Sequence, residues 1–405
     1  MECSDAAVPI RAVPVNQPNL PRRVRLMTVN STLHIGGAEQ VAAALAENVD
    51  RARFESTACY LKQPGLIGEQ MLRAGVDLVP VPGITGRTDY LSFRKLRRLI
   101  VSRCIDVIHT HDPHGLIDGA LCRLTLPHLR HVHTFHFGNY PHRGRRDARI
   151  ERALWRVPDV LVAVGQHQAA SLRAMYGIPA RRLHVLWNGV DDPTRRLTAV
   201  APREVTLPAP NGATPPVIAS VSTLTAQKGL EHLIDAAGLL RASGETFRLD
   251  IAGDGPLRES LKERVRAQGL GETVRFLGWV PQASARLLPA VDIFVQSSLW
   301  EAMSVVVLEA MAAGKPLVVT DVGENPHVVR HEHNGLIVPP GNPQALADAL
   351  RRLLRDAGTR ARLGAAARAC YQQSFTSRHM ITRYETLYAS LAGAPVGPSA
   401  DEVRP

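Results

Sequence analysis

The sequence predicts an α/β protein built of two doubly wound, parallel-sheet domains. Three observations predict it. The chain has 405 residues, a comfortable length for two domains with a core in each. Short β-branched runs alternate with longer helical patterns, as in parallel strands joined by crossover helices. Near the middle, the Pro- and Thr-rich stretch Asp191–Pro216 interrupts that rhythm. Hydrophobic residues make up 45% and charged residues 21%, which excludes collagen, general disorder and coiled coil as the main architecture. No apolar run reaches the roughly 18 residues needed to cross a bilayer.

In chain order, 1–21 carries Pro9, Pro14, Pro18 and Pro21 ahead of Arg22, Arg23 and Arg25. Cations after a mildly apolar stretch reverse the order of a signal peptide, so this segment is expected to be a disordered leader on a cytoplasmic protein. The first domain, 22–193, has strand patterns over Val24–Asn30, Asp106–His111, His131–His136, Val160–Val164 and Leu183–Trp187. A linker is expected over 194–216. The second domain, 217–376, repeats the rhythm at Val217–Ser222, Arg248–Ala252, Val274–Leu277, Val291–Val295, Leu317–Thr320 and Leu336–Val338. A separate helical pattern covers 377–391, and the small, polar tail 392–405 is expected to be disordered. The five cysteines are scattered without a close pair, so neither a disulfide framework nor a thiolate zinc site is encoded, and a reducing compartment fits.

The net charge of +11 lies almost wholly in the first half: residues 1–200 hold 27 Lys+Arg against 17 Asp+Glu. A basic face attracts nucleic acid, an anionic leaflet or a phosphate-bearing ligand. Arg94-Lys95-Leu96-Arg97-Arg98 falls on an amphipathic helix, but no helix-turn-helix, ribonucleoprotein or zinc-finger pattern accompanies it, so nucleic acid is not expected as a partner. Peripheral attachment to an anionic cytoplasmic leaflet is the functional reading of this face; a solvated helix face is the plain one.

Paired doubly wound domains bind ligands in the crevice at the carboxyl ends of their strands. Gly36-Gly37 follows the first strand and opens a helix, where glycines admit a close ligand and free amides suit phosphate; a plain strand-to-helix turn accounts for the pair as well. Ser298 to Ala312 follows an apolar strand directly. Ser304 is the expected N-cap, which leaves the amides of Ser304, Val305 and Val306 as donors for a pyrophosphate. Glu301 lies in the preceding loop, and Glu309, inside an apolar helix, requires donors such as ribose hydroxyls or, alternatively, a neighbouring loop.

Glu301 and Glu309, separated by seven residues, resemble the E-x7-E motif of retaining glycosyltransferases of the family 4 type, which have the GT-B fold of two Rossmann-like domains facing across a cleft. The resemblance runs from about Arg22 to Leu391. Gly253-Asp254-Gly255-Pro256 is similar to the family's G-D-G-P turn, Leu224–Gly229 to its phosphate loop, Asn188-Gly189-Val190-Asp191 to its interdomain segment, and Asn334–Gly341 to its N-G-L-L-V-P-P-G turn. The resemblance implies that Lys228 binds the donor pyrophosphate, Glu309 the ribose and Glu301 the sugar hydroxyls. It places Gly36 and Gly37 near phosphate and acceptor, Gly253 among the donor-binding residues, Trp279 and Val280 at the nucleobase, and His136 beside the reacting carbon. Ser377–Leu391 would cross back onto the first domain.

It also implies a UDP- or GDP-sugar donor, a saccharide or lipid-linked acceptor in polysaccharide or glycolipid synthesis, and no metal or other cofactor. Thr223 stands where the family usually carries Arg, which opens the alternative of a catalytically weak nucleotide-sugar-binding homologue. Met303 and Ser304 replace a usual Phe-Gly. The rival chemistry comes from eight histidines between His109 and His142, which invite a metal-dependent hydrolase. Their spacing is poor, because Pro113 sits where a ligand aspartate is needed and strand alternation sends His131 and His133 away from His136.

Overall fold

The computed structural model describes residues 22–34, 36–81, 91–194 and 215–394. The expected leader 1–21, most of the expected linker and the tail from 395 lie outside the described residues. In the first half, β1 (Val24–Thr32), β2 (Phe54–Gln63), β3 (Asp77–Pro80), β4 (Val107–Thr110), β5 (Arg130–Phe135), β6 (Val160–Ala163) and β7 (Leu183–Val185) form one sheet. Its order is β3-β2-β1-β4-β5-β6-β7, all parallel. In the second half, β8 (Val217–Val221), β9 (Arg248–Ala252), β10 (Val274–Gly278), β11 (Ile293–Gln296), β12 (Leu317–Thr320) and β13 (Leu336–Val338) form the other, also all parallel, in the order β10-β9-β8-β11-β12-β13. The strand order reverses between β1 and β4 and again between β8 and β11. A ligand crevice opens at such switch points.

Central strands such as β4, β6 and β12 are buried at every position, which is why they stand out as continuous β-branched runs. β2 and β3 escaped the sequence reading. In β2, buried Phe54, Ala58, Cys59 and Leu61 are interleaved with Glu55, Ser56 and Lys62, and β3 at the sheet edge has no fully buried residue. The other expected strands are present, with ends shifted by a residue or two: β7 stops at Val185 rather than Trp187, and β11 starts at Ile293 rather than Val291.

The helix Ser377–Ala392 starts where the Thr376 side chain accepts a bond from the His379 amide and stops at Gly393 in the left-handed region. Its Met380, Ile381, Tyr384 and Tyr388 pack with Val24, Leu26, Val41, Leu45 and Phe54 of the first half. Each such burial contributes about 1.5–3 kcal/mol, so the chain's end completes the N-terminal core. Residues 188–192 thread beneath this helix. Val190 N–H donates to Phe375 O at 3.0 Å, Ser377 N–H to Val190 O at 2.9 Å, and the Tyr371 hydroxyl to Val190 O at 3.0 Å. Among the described residues no helix is long and apolar enough to cross a membrane.

Candidate active site

The loops leaving β8, β9 and β10 are stitched together. Gly253 adopts φ 140°, and a Cβ there would overlap the Ser222 carbonyl, so only glycine lets the two loops meet. Gly253 N–H donates to Gly278 O at 2.8 Å and Leu224 N–H to Asp254 O at 3.0 Å. Next to Gly278, Val280 is half-buried while Trp279 is 46% exposed, a large aromatic face left to solvent at the expected nucleobase position. Thr223 is exposed, and the Arg258 guanidinium beside Gly278 pairs with Asp254 at 2.9 Å.

Lys228 and Glu301 meet. The Lys228 Nζ donates to Glu301 Oε1 at 2.5 Å, and Glu301 also accepts from Ser298 Oγ at 2.8 Å, Gln227 Nε2 at 3.3 Å and Gln296 Nε2 at 3.4 Å. Backbone bonds fix both partners. Leu299 N–H donates to Gln227 O at 2.7 Å, and the Ser297 hydroxyl to Lys228 O at 2.9 Å. The helix that follows spans Val305–Ala312 with Ser304 at its N-cap position, but the Ser304 side chain makes no capping bond. The first helical bond runs from Leu308 N–H to Ser304 O at 3.4 Å, so the amides before it have no intrahelical acceptor. Val305 is buried, Val306 half-buried. Glu309, half-buried on this helix, accepts from the Ser284 hydroxyl at 2.5 Å; its hydroxyl donor here belongs to a neighbouring short helix, Ala283–Leu287.

The first half closes on these loops. Gly37 lies against Val305, where an added Cβ would come 3.2 Å from the valine Cγ2. Gly36 precedes the helix Gly37–Asn48, and the Glu39 carboxylate curls back beside it. Burial raises the Glu39 carboxyl above its usual range. Gly138, two residues after His136, is packed so tightly on Glu301 and Ala302 that a Cβ would overlap their backbone. His136 and Glu301 are thereby carried by loops in direct contact.

Sequence reasoning missed a second bridge. Glu324, in the loop after β12, is 1% exposed and accepts from His167 N–H at 2.5 Å and Gln168 N–H at 3.4 Å, at the start of the helix Gln166–Tyr176 in the other half. Gln168 in turn donates from Nε2 to Phe137 O at 2.8 Å, beside His136. Met303 reaches the interdomain segment, its sulfur accepting from Asn188 N–H at 3.2 Å. The signal for these contacts was slight: an acid after a strand, and a residue unusual for its motif.

The histidines do not converge on one point. His131 Nε2 and His133 Nδ1 both meet the Thr110 hydroxyl at 2.9 Å, while His109, His111 and His136 cluster on the opposite face of the sheet. Among the described residues no group of three or more His, Cys, Asp or Glu is arranged to hold a metal ion. Burial lowers all five: His136 to about 4, His131 to about 3, and His109, His111 and His133 well below the usual value.

Comparison with known proteins decides the family. The model for Glycosyltransferase Family 4 matches residues 35–193 and that for Glycosyl transferases group 1 matches 208–369. The chain is a GT-B glycosyltransferase. This glycosyltransferase is 29% identical over 266 residues to an uncharacterized glycosyltransferase of Methanocaldococcus jannaschii, covering 63% of this chain and 67% of that protein. It is 30% identical over 232 residues to the amylovoran biosynthesis glycosyltransferase AmsK of Erwinia amylovora, covering 55% and 52%. In fold it is similar to the Anabaena HepE protein in complex with UDP and glucose, with a TM-score of 0.77, 20% identity, and coverage of 91% of this chain and 100% of that one.

Proposed function

We propose that this glycosyltransferase moves a sugar, with retention of anomeric configuration, from a UDP- or GDP-sugar to a saccharide or lipid-linked saccharide in polysaccharide or glycolipid synthesis. The observation that carries the reading is the Lys228–Glu301 pair beneath the His136 loop. An arriving diphosphate competes for the Lys228 ammonium. Once Lys228 turns to it, Glu301 is released to accept from hydroxyls of the sugar. Binding the leaving group and orienting the transferred group are thus one exchange. The names of the relatives, in amylovoran biosynthesis for one, and the UDP bound to HepE support the substrate class.

In the proposed step the acceptor hydroxyl attacks the anomeric carbon from the face the diphosphate leaves. The bond from that carbon to the phosphate oxygen breaks as the new glycosidic bond forms, and the acceptor proton passes to the departing phosphate. The chain contributes position and charge: Lys228 and the amides of Ser304, Val305 and Val306 face the growing negative charge, with Gly36, Gly37 and Gly253 leaving room for it. Glu309 exchanges the Ser284 hydroxyl for those of the ribose, main-chain atoms beside Trp279 and Val280 take the base, and His136 takes the sugar. The scheme uses no metal ion, so turnover is expected to persist in chelator.

Thermal melting against a panel of nucleotide-sugars tests this, since a ligand of the native state raises its midpoint. A UDP- or GDP-sugar is expected to raise it in the parent, and Lys228→Ala and Glu309→Ala to abolish the rise. A panel with no effect at millimolar concentration, or an undiminished rise in both variants, sinks the reading.

The basic helix Ser92–Ser102, with Arg94 and Arg98 exposed and Leu91 and Val101 about half exposed, is proposed as the contact to an anionic leaflet. Salt-sensitive flotation with acidic but not neutral vesicles is the expected result; equal binding to both removes the proposal.

A further inference from the structure

The buried histidines that the transfer scheme leaves unused are built around His136. His111 Nδ1 lies 3.1 Å from His136 Nε2, and the two rings stack with centroids 5.3 Å apart. The His111 ring also packs against that of His109, centroids 4.0 Å apart and planes tilted by 42°. His109 is held at both nitrogens: Nδ1 meets the Tyr388 hydroxyl at 2.7 Å and Nε2 the Thr134 hydroxyl at 2.8 Å, which in turn meets the Tyr384 hydroxyl at 3.1 Å. The floor under His111 is therefore fixed. His111 itself is 3% exposed, and its Nε2 is buried without a partner.

That orphan atom decides which ring of the pair donates. Burial keeps both rings neutral at pH 7, so each carries one proton. Were His136 to donate from Nε2, His111 would accept at Nδ1 and carry its own proton on Nε2, leaving a buried N–H with no acceptor. Orphaned buried N–H groups are rarer than under-used lone pairs. With His111 donating from Nδ1, only a lone pair is left bare. The proton of His136 is then on its Nδ1, which no described protein group engages, in a half-buried side chain on the loop that meets Glu301.

We propose that His111 is a positioning residue that locks His136 in its Nδ1–H tautomer, so that His136 enters the cleft as a hydrogen-bond donor to an oxygen of the transferred sugar. The tautomer follows from the hydrogen-bond geometry of two neutral rings; the identity of the acceptor rests on the nucleotide-sugar reading above. A donor at this point holds that oxygen, and with it the anomeric carbon, in line with the departing diphosphate, which a ring in the other tautomer, offering it only a lone pair, does not do.

The test is nitrogen NMR of the full chain labelled in its histidines at pH 7.5, where ring shifts distinguish the tautomers and the His136 signals are assigned by their loss in His136→Gln. The parent is expected to show protonated Nδ1 and bare Nε2. His111→Leu is expected to shift His136 toward Nε2–H and to lower kcat of sugar transfer or nucleotide-sugar hydrolysis about tenfold at unchanged KM, the scale of one hydrogen bond. His111→Asn, whose amide N–H reaches where Nδ1 stood, is expected to restore the tautomer and most of the rate. Melting curves report folding; should His111→Leu not fold, His111→Gln, whose amide sits one atom too far along, supplies the contrast to Asn. An Nε2–H His136 in the parent, or an unchanged Nδ1–H tautomer in folded His111→Leu or His111→Gln, overturns the proposal. The expected tautomers together with a panel of nucleotide-sugars that neither bind nor turn over upholds the role of His111 and overturns the substrate reading instead.

Discussion

At the scale of single residues, the site depends on one position that lacks a side chain and one that lacks a charge. Gly138 has room for no Cβ against Glu301 and Ala302. Gly138→Ala is therefore expected to push the His136 loop off the Glu301 loop and lower kcat by at least about tenfold, since small misplacements of reacting groups are costly. Because that contact lies between the two halves and outside either core, the melting midpoint should change little; near-parental turnover in a folded Gly138→Ala protein would contradict the contact. Thr223 lacks a charge rather than space. Its side chain is exposed, and the Lys228 ammonium it leaves alone is engaged by Glu301. Thr223→Arg is expected to tighten nucleotide-sugar binding severalfold and raise turnover, because a second cation faces the leaving diphosphate. Unaltered donor KM and kcat would show that another group already supplies the charge. Lys228, Glu301 and His136 were legible because each belongs to a short local pattern at a strand end. The His111–His136 pair was not, because two histidines 25 residues apart become neighbours only through the register of β4 on β5.

Among elements, the helix Gln166–Tyr176 has an unusual start. Gly165 at its N-cap offers no side chain, and the capping oxygen comes from Glu324 of the other half. A carboxylate at a helix N-terminus contributes about 1 kcal/mol, here spent on holding two domains together. Glu324→Ala is expected to loosen the closed arrangement: a larger radius of gyration in small-angle scattering, a raised donor KM, and a weaker hold on the Phe137 carbonyl through Gln168. Scattering and KM identical to the parent's would mean the carboxylate serves only its own loop, where His327 Nδ1 also lies 3.4 Å from it. Buried central strands and the helix Val305–Ala312 were readable from composition, since both faces are covered and the residues run apolar. The edge strand β3 and its neighbour β2 carry mixed patterns of buried and exposed residues, and mixed patterns are what periodicity reads worst.

For the molecule as a whole, the described residues join the halves through 188–192, through the helix Ser377–Ala392 that completes the N-terminal core, and through the loops that meet over the site. The sequence announced the first two as motif and pattern. Alternation along the strand already separated His131 and His133 from His136, but the partners that satisfy the polar interior of the first half went unread, because Thr110 reaches them only through strand register and Tyr384 and Tyr388 only through the helix Ser377–Ala392. That interior makes stability depend on pH with a definite sign. His109, His111, His131, His133 and His136 are neutral when folded, whereas each binds a proton in the unfolded chain near pH 6.5. The unfolded state thus takes up more protons as pH falls below about 6.5, and stability is lost from there down toward the folded values, at about 1.4 kcal/mol per pH unit for each ring. Glu39 and Glu151, whose carboxyls are raised by burial, act in the opposite sense but are two against five. Asp159 and Asp235 are held below the usual carboxylate range, so their stabilising contribution disappears only at lower pH, outside this window. The melting midpoint is therefore expected to be level from pH 8 to 7 and to fall steeply between pH 6.5 and 5, by several kcal/mol in equivalent stability. In the same window the falloff should be shallower for His133→Phe, which removes one ring from the linkage; a midpoint that holds constant to pH 5 would require these histidines to be charged, or solvated, in the folded protein.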